Sequence, residues 1–119
     1  PSKENKAMLD RVRLEKITRN SVLVLMSRAH VVDFEALTEL VANGRFKAAI
    51  DVFPQEPLPA DHPIRHLPNT VLSGHRAGSV ARDLQLIGRM VVDDLEAIFA
   101  GLPPQAMQVA QPEIIHRLD

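Results

Sequence analysis

At 119 residues and 45% apolar side chains, the chain can build one hydrophobic core and not two. Its formal charge of -1, with both signs interspersed, excludes a nucleic acid or an anionic membrane surface as the main partner, and no apolar run is long enough to span a bilayer. The absence of cysteine excludes a disulfide framework, a thiol nucleophile and a thiolate metal site, and with no secretory pattern at the start it fits a cytoplasmic protein.

Ser2 to Ile17 reads as one or two short helices, with Ser2 as N-cap and Ala7, Met8, Leu9, Val12, Leu14 and Ile17 as the apolar set. Val22 to Met26 is an unbroken apolar run, too short for a helix, and reads as a fully buried strand. Ser27, Arg28, Ala29 and His30 follow it at once. Asp33 then caps a helix whose stripe is Phe34, Leu37, Leu40 and Val41, closed by Asn43 and Gly44.

Ala48, Ala49, Ile50, Val52 and Phe53 form a second strand, covered on both faces, which Asp51 interrupts. A carboxylate there costs several kcal/mol unless it is hydrogen-bonded, so Asp51 requires a polar partner that the strand alone does not supply. Glu56 follows on a loop stiffened by Pro54, Pro57 and Pro59. Asp61 to Leu67 has room for one or two helical turns between Pro63 and Pro68. His62 and His66 nominally suit a metal, but Pro63 between them spoils the regular helix that would align them, and no metal site is expected.

Thr70, Val71 and Leu72 make a third strand, after which Gly74 and Gly78 bracket His75 and Ser79 caps the next helix. In that helix Val80, Leu84, Ile87, Val91, Leu95 and Ile98 recur at helical spacing, a stripe expected to cover the core or a dimer face. The helix ends at Gly101, leaving Leu102 to Asp119 as a proline-interrupted tail.

Strands alternating with helices imply α/β architecture, here a partial sheet of about three parallel strands with flanking helices. In such sheets ligands collect beyond the carboxyl ends of the strands. Arg28 follows the first strand, Asp51 and Glu56 close the second and His75 follows the third, so all four are expected on one rim. Singly, Arg28 reads as a surface arginine, His75 as a loop histidine, Glu56 as a solvated turn residue and Asp51 as a strand-to-loop tie. Together they are the parts that hold an anionic substrate and move a proton. A hydrolase reading through Ser27 or Ser73 with His75 fails for want of a G-x-S-x-G elbow.

SRAHVVDFEAL followed by AAIDVFPQEPLPADHPIRHLPNTVLSGHRAGS resembles the C-terminal part of the NAD-binding domain of the D-isomer-specific 2-hydroxyacid dehydrogenases. The resemblance implies a Rossmann-type fold of which only the C-terminal portion is present, with residues 1–101 belonging to the dinucleotide-binding domain and 102–119 to a tail. It implies NAD or NADP as cofactor and a small 2-hydroxy or 2-oxo acid as substrate. By the same resemblance His75 is the acid/base, Glu56 pairs with it and raises its pKa, and Arg28 grips the substrate carboxylate. Asp51 would meet the nicotinamide side, and Ser27, Arg28, His75 and Gly78 would also line the cofactor.

The chain departs from that family where Ala29 and His30 replace the usual glycine after the arginine, and where Gly74 replaces the proline before the histidine. Gly44, Gly74, Gly78, Gly88 and Gly101 form no G-x-G-x-x-G, so the phosphate-binding half of the fold is missing. An exposed apolar edge on Val22 to Met26 then invites a homodimer or larger assembly. A non-catalytic interaction or dimerisation module is the alternative to an oxidoreductase piece.

Overall fold

The computed structural model describes residues 5–78 and 80–107, and the chain divides into two compact units, one reaching Arg76 and the other beginning at Ala77. In the first unit, α1 (Arg11–Leu14) precedes β1 (Val22–Leu25), α2 (Phe34–Ala42), β2 (Lys47–Ile50) and β3 (Thr70–Leu72). Short 3-10 turns at Ala29–Val31 and Pro63–His66 lie in the connections. The strands are parallel in the order β1-β2-β3, with Leu23 opposite Ala48 and Ile50 opposite Leu72. This is the α/β sheet of about three parallel strands that the alternating pattern implies.

The core lies on one face of that sheet. Leu25, Ala48 and Ile50 point toward α2, where Ala36, Leu37 and Val41 are buried, and Leu14, Phe46 and Ile64 close the edges. Val22, Val24 and Val71 stand on the opposite face and are more than half exposed. The expectation of strands covered on both faces is therefore corrected. An unbroken apolar run names a strand but does not say whether one face or two are covered, and here the side-chain alternation divides the run between a buried and an open face.

The segment before β1 also differs from its expected form. Asp10 caps its single described helical turn, accepting from the Arg13 N–H at 2.8 Å; Ser2, expected as an N-cap, lies outside the described residues. Leu9 instead pairs as an isolated bridge with Val32, donating to the Val31 carbonyl at 2.9 Å and accepting from Asp33 N–H at 3.0 Å. Backbone pairing to the loop before α2 satisfies the groups that a longer helix would have satisfied internally. Met8 and Val12 are left exposed.

Two features of the sequence perform as expected around α2. Asp33 caps it by accepting from Ala36 N–H at 3.0 Å, and Gly44 ends it in the left-handed region at φ 67°. Asn69, just before β3, is fastened to the α2–β2 connection, its amide donating to the Val41 carbonyl at 2.8 Å and the Phe46 carbonyl at 3.4 Å.

The second unit contains α3 (Ala81–Phe99), with Val80 at its N-cap position; Ser79, expected to cap it, lies outside the described residues. Leu84, Ile87, Val91, Leu95 and Ile98 are exposed, so the stripe does not serve as core. Asp94 is the buried residue of this helix, and its carboxylate accepts from the Gln105, Ala106 and Met107 N–H groups at 2.6, 2.9 and 2.7 Å. Those bonds, from Ala106 first and then Gln105, hold Asp94 below the usual carboxylate range. The start of the supposed tail is thus fastened to α3. No helix among the described residues is long and apolar enough to cross a membrane.

Candidate active site

Parallel strands deliver their carboxyl ends to one rim, and the polar residues that follow β1, β2 and β3 arrive there together. Asp51 comes directly after β2 and is only 3% exposed. It meets the requirement that burial imposes: Oδ1 accepts from the Ser73 hydroxyl and, at 2.9 Å, from the Arg76 N–H. Its backbone is engaged as well, with Asp51 N–H donating to the Leu25 carbonyl at 2.9 Å and its own carbonyl accepting from His75 N–H at 2.8 Å.

Glu56 and His75 meet. His75 Nδ1 lies 2.7 Å from Glu56 Oε2, and Glu56 Oε1 accepts from Phe53 N–H at 3.0 Å. An ionised carboxylate only accepts, so Nδ1 carries the shared proton and Nε2 is left to exchange one with a ligand. The His75 bond, followed by that from Phe53 N–H, holds the Glu56 carboxyl below its ordinary value against the opposing effect of desolvation. Glu56 therefore stabilises the fold fully above the unfolded carboxylate pKa, and that contribution disappears as pH falls through the depressed folded value. Carbon NMR of the Glu56 carboxyl is expected to give a midpoint below that of a free glutamate; an ordinary midpoint would remove the bond.

Both residues line a hollow of about 350 Å³, together with Phe53, Leu58, Arg65 and Leu72. Its shape depends on Arg65, whose Nε donates to the Pro59 carbonyl at 2.8 Å and whose Nη2 donates to that of Leu58. Arg28 lines a second hollow with Lys6, His30, Asp33 and Phe34, and Phe53 borders both. Arg28 is not bonded to the pair. Its Nη1 donates to the Ser27 carbonyl at 2.8 Å.

Of the site residues expected from sequence, Glu56, His75 and Asp51 are thus joined in one network, while Arg28 and Ser27 occupy the neighbouring strand end. Gly78 belongs to the second unit, where an added Cβ would meet nothing within 4 Å. His62 has a local role, its Nδ1 accepting from Ile64 N–H at 3.3 Å and its ring meeting Phe34 edge-on at 5.8 Å. Sequence reasoning overlooked Ser73 as a partner of Asp51; a hydroxyl just after the neighbouring parallel strand was the available signal.

The left-handed residue of the turn is the histidine itself and not the glycine before it, His75 standing at φ 53° at a cost of roughly 1–2 kcal/mol. Gly74 has no such φ, and a Cβ there would touch nothing within 4 Å. Gly74→Ala is therefore expected to stabilise the chain by about 0.4–1 kcal/mol through the unfolded state. A lowered denaturation midpoint would show that Gly74 needs its freedom.

Comparison with known proteins identifies the family. Residues 1–77 match the family profile described as D-isomer specific 2-hydroxyacid dehydrogenase, NAD binding domain. The chain is 35% identical over 107 residues to a glyoxylate reductase of Thermofilum pendens, covering 89% of this chain and 32% of that protein. It is 35% identical over 99 residues to glyoxylate/hydroxypyruvate reductase B of Pectobacterium atrosepticum, covering 82% of this chain and 31% of the other. Among solved structures, a phosphoglycerate oxidoreductase from Rhizobium etli superposes with a TM-score of 0.78 at 40% identity, covering 86% of this chain and 32% of that one. The chain thus spans about a third of the length of these relatives. With the family profile matched across the whole sheet and its rim, the chain belongs to the D-isomer-specific 2-hydroxyacid dehydrogenases.

Proposed function

We propose that this chain supplies the acid/base half of an NAD(P)-dependent dehydrogenase acting on a small 2-hydroxy or 2-oxo acid. The observation that carries the reading is the 2.7 Å bond between His75 Nδ1 and Glu56 Oε2 at the carboxyl rim of a parallel sheet. Glu56 fixes the ring and its tautomer, so that Nε2 gives a proton to the substrate oxygen in reduction and takes it back in oxidation. Arg28, beyond β1, would bind the substrate carboxylate.

Within the first unit, the Ser27 backbone and Asp51 beyond adjacent strands would serve as polar partners for the carboxamide at the nicotinamide end of the cofactor. When bound, the nicotinamide supplies or accepts the hydride. No glycine-rich phosphate loop occurs in the sequence. The chain alone is accordingly expected to bind NAD more weakly than micromolar and to show no turnover. Calorimetric titration with NAD and NADP tests this, and micromolar affinity would contradict it.

Residues 1–101 then form one part of the dinucleotide-binding domain, and the cytoplasmic setting belongs to the same proposal. The open sheet face at Val22, Val24 and Val71 and the exposed stripe of α3 favour self-association, as a dimer or larger. They also support the second reading, an interaction module without catalysis. Turnover by an intact enzyme carrying these residues, and its loss in His75→Ala, separates the two.

A further inference from the structure

The left-handed backbone of His75 has to be held by something, and the preceding glycine does not hold it. We propose that Ser73 and Asp51 are positioning residues: they clamp the loop on both sides of His75 and so aim its ring at Glu56. Ser73 N–H donates to the Ile50 carbonyl at 2.9 Å, continuing the sheet by one bond, and the Ser73 hydroxyl donates to Asp51 Oδ1. On the far side of the histidine, Arg76 N–H donates to that same oxygen at 2.9 Å. Between them His75 N–H donates to the Asp51 carbonyl at 2.8 Å.

The buried carboxylate is therefore a single anchor for residues before and after the histidine, and its burial is what makes the anchor stiff. Glu56 is fixed separately through Phe53 N–H, so the pair meets only when both loops are set. The catalytic meaning of the clamp rests on the dehydrogenase reading; the clamp itself does not.

The test uses the full chain. Ser73→Ala is expected to raise the Glu56 carboxyl titration midpoint toward that of a free glutamate, and Ser73→Thr, which keeps the hydroxyl, to restore the low midpoint. Thermal unfolding run alongside separates a loosened loop from a lost fold. An unchanged Glu56 midpoint in folded Ser73→Ala would overturn the proposal. A second measurement needs no variant: amide hydrogen exchange at His75 and Arg76 is expected to be slowed as in β2, and exchange at the rate of an open loop would overturn it equally. Neither measurement involves cofactor or turnover. A chain that passed both while an intact enzyme kept full activity in His75→Ala would sink the dehydrogenase reading and leave the clamp standing.

Discussion

His75→Ala, in an intact dehydrogenase carrying this sequence, is expected to lower turnover by about 10²–10⁴-fold, the usual contribution of a positioned acid/base. On the proposed mechanism the loss should fall on kcat, because the imidazole would exchange its proton as the substrate oxygen changes charge and would contribute less to holding the acid in the ground state. Arg28→Ala should act differently if Arg28 holds the substrate carboxylate as proposed, raising KM strongly, since such a contact would form before chemistry begins. Glu56→Gln retains a hydrogen-bonding group of the same shape but removes the charge that selects the Nδ1–H tautomer. Its expected signature is a smaller fall in kcat with a displaced pH profile. Full activity in His75→Ala, measured by nicotinamide absorbance, would remove the histidine from the mechanism and favour the interaction-module reading.

Phe46→Ala is the second large effect, this time on stability. Phe46 is among the largest fully buried side chains and sits at the junction where α2 ends and β2 begins. Truncating a buried phenylalanine costs about 3–5 kcal/mol, part transfer and part cavity. A domain of this size has roughly 5–15 kcal/mol in total, and the core here covers one sheet face. The variant is therefore expected to be largely unfolded at physiological temperature, or to melt many degrees lower. A thermal midpoint within a degree or two of the parent would show that Phe46 does not close the core.

Much of the first unit was legible because its signals are local. The apolar runs at Val22 and Ala48 named the strands, and Asp33 with Gly44 marked the ends of α2. Asp51 stood out as a carboxylate where the pattern allows none, and the partner it demanded exists in Ser73 and Arg76. The identity of those partners was not legible, since they lie beyond the next strand and only the parallel register brings them close. The one-sided burial of the sheet escaped for the same reason: period and propensity describe a strand, while its cover is decided by tertiary neighbours. The fastening of Gln105 to Met107 by Asp94 escaped because a lone acidic residue on a polar-faced helix carries no local mark of its burial.

The claim on which the rest depends is that His75 and Glu56 share a proton at the sheet rim, and long-range proton–nitrogen NMR of the His75 ring addresses it directly. At a pH where the imidazole is neutral, Nδ1 is expected to carry the proton, with that preference lost in Glu56→Gln. A ring found with its proton on Nε2, indifferent to Glu56→Gln, would contradict the account.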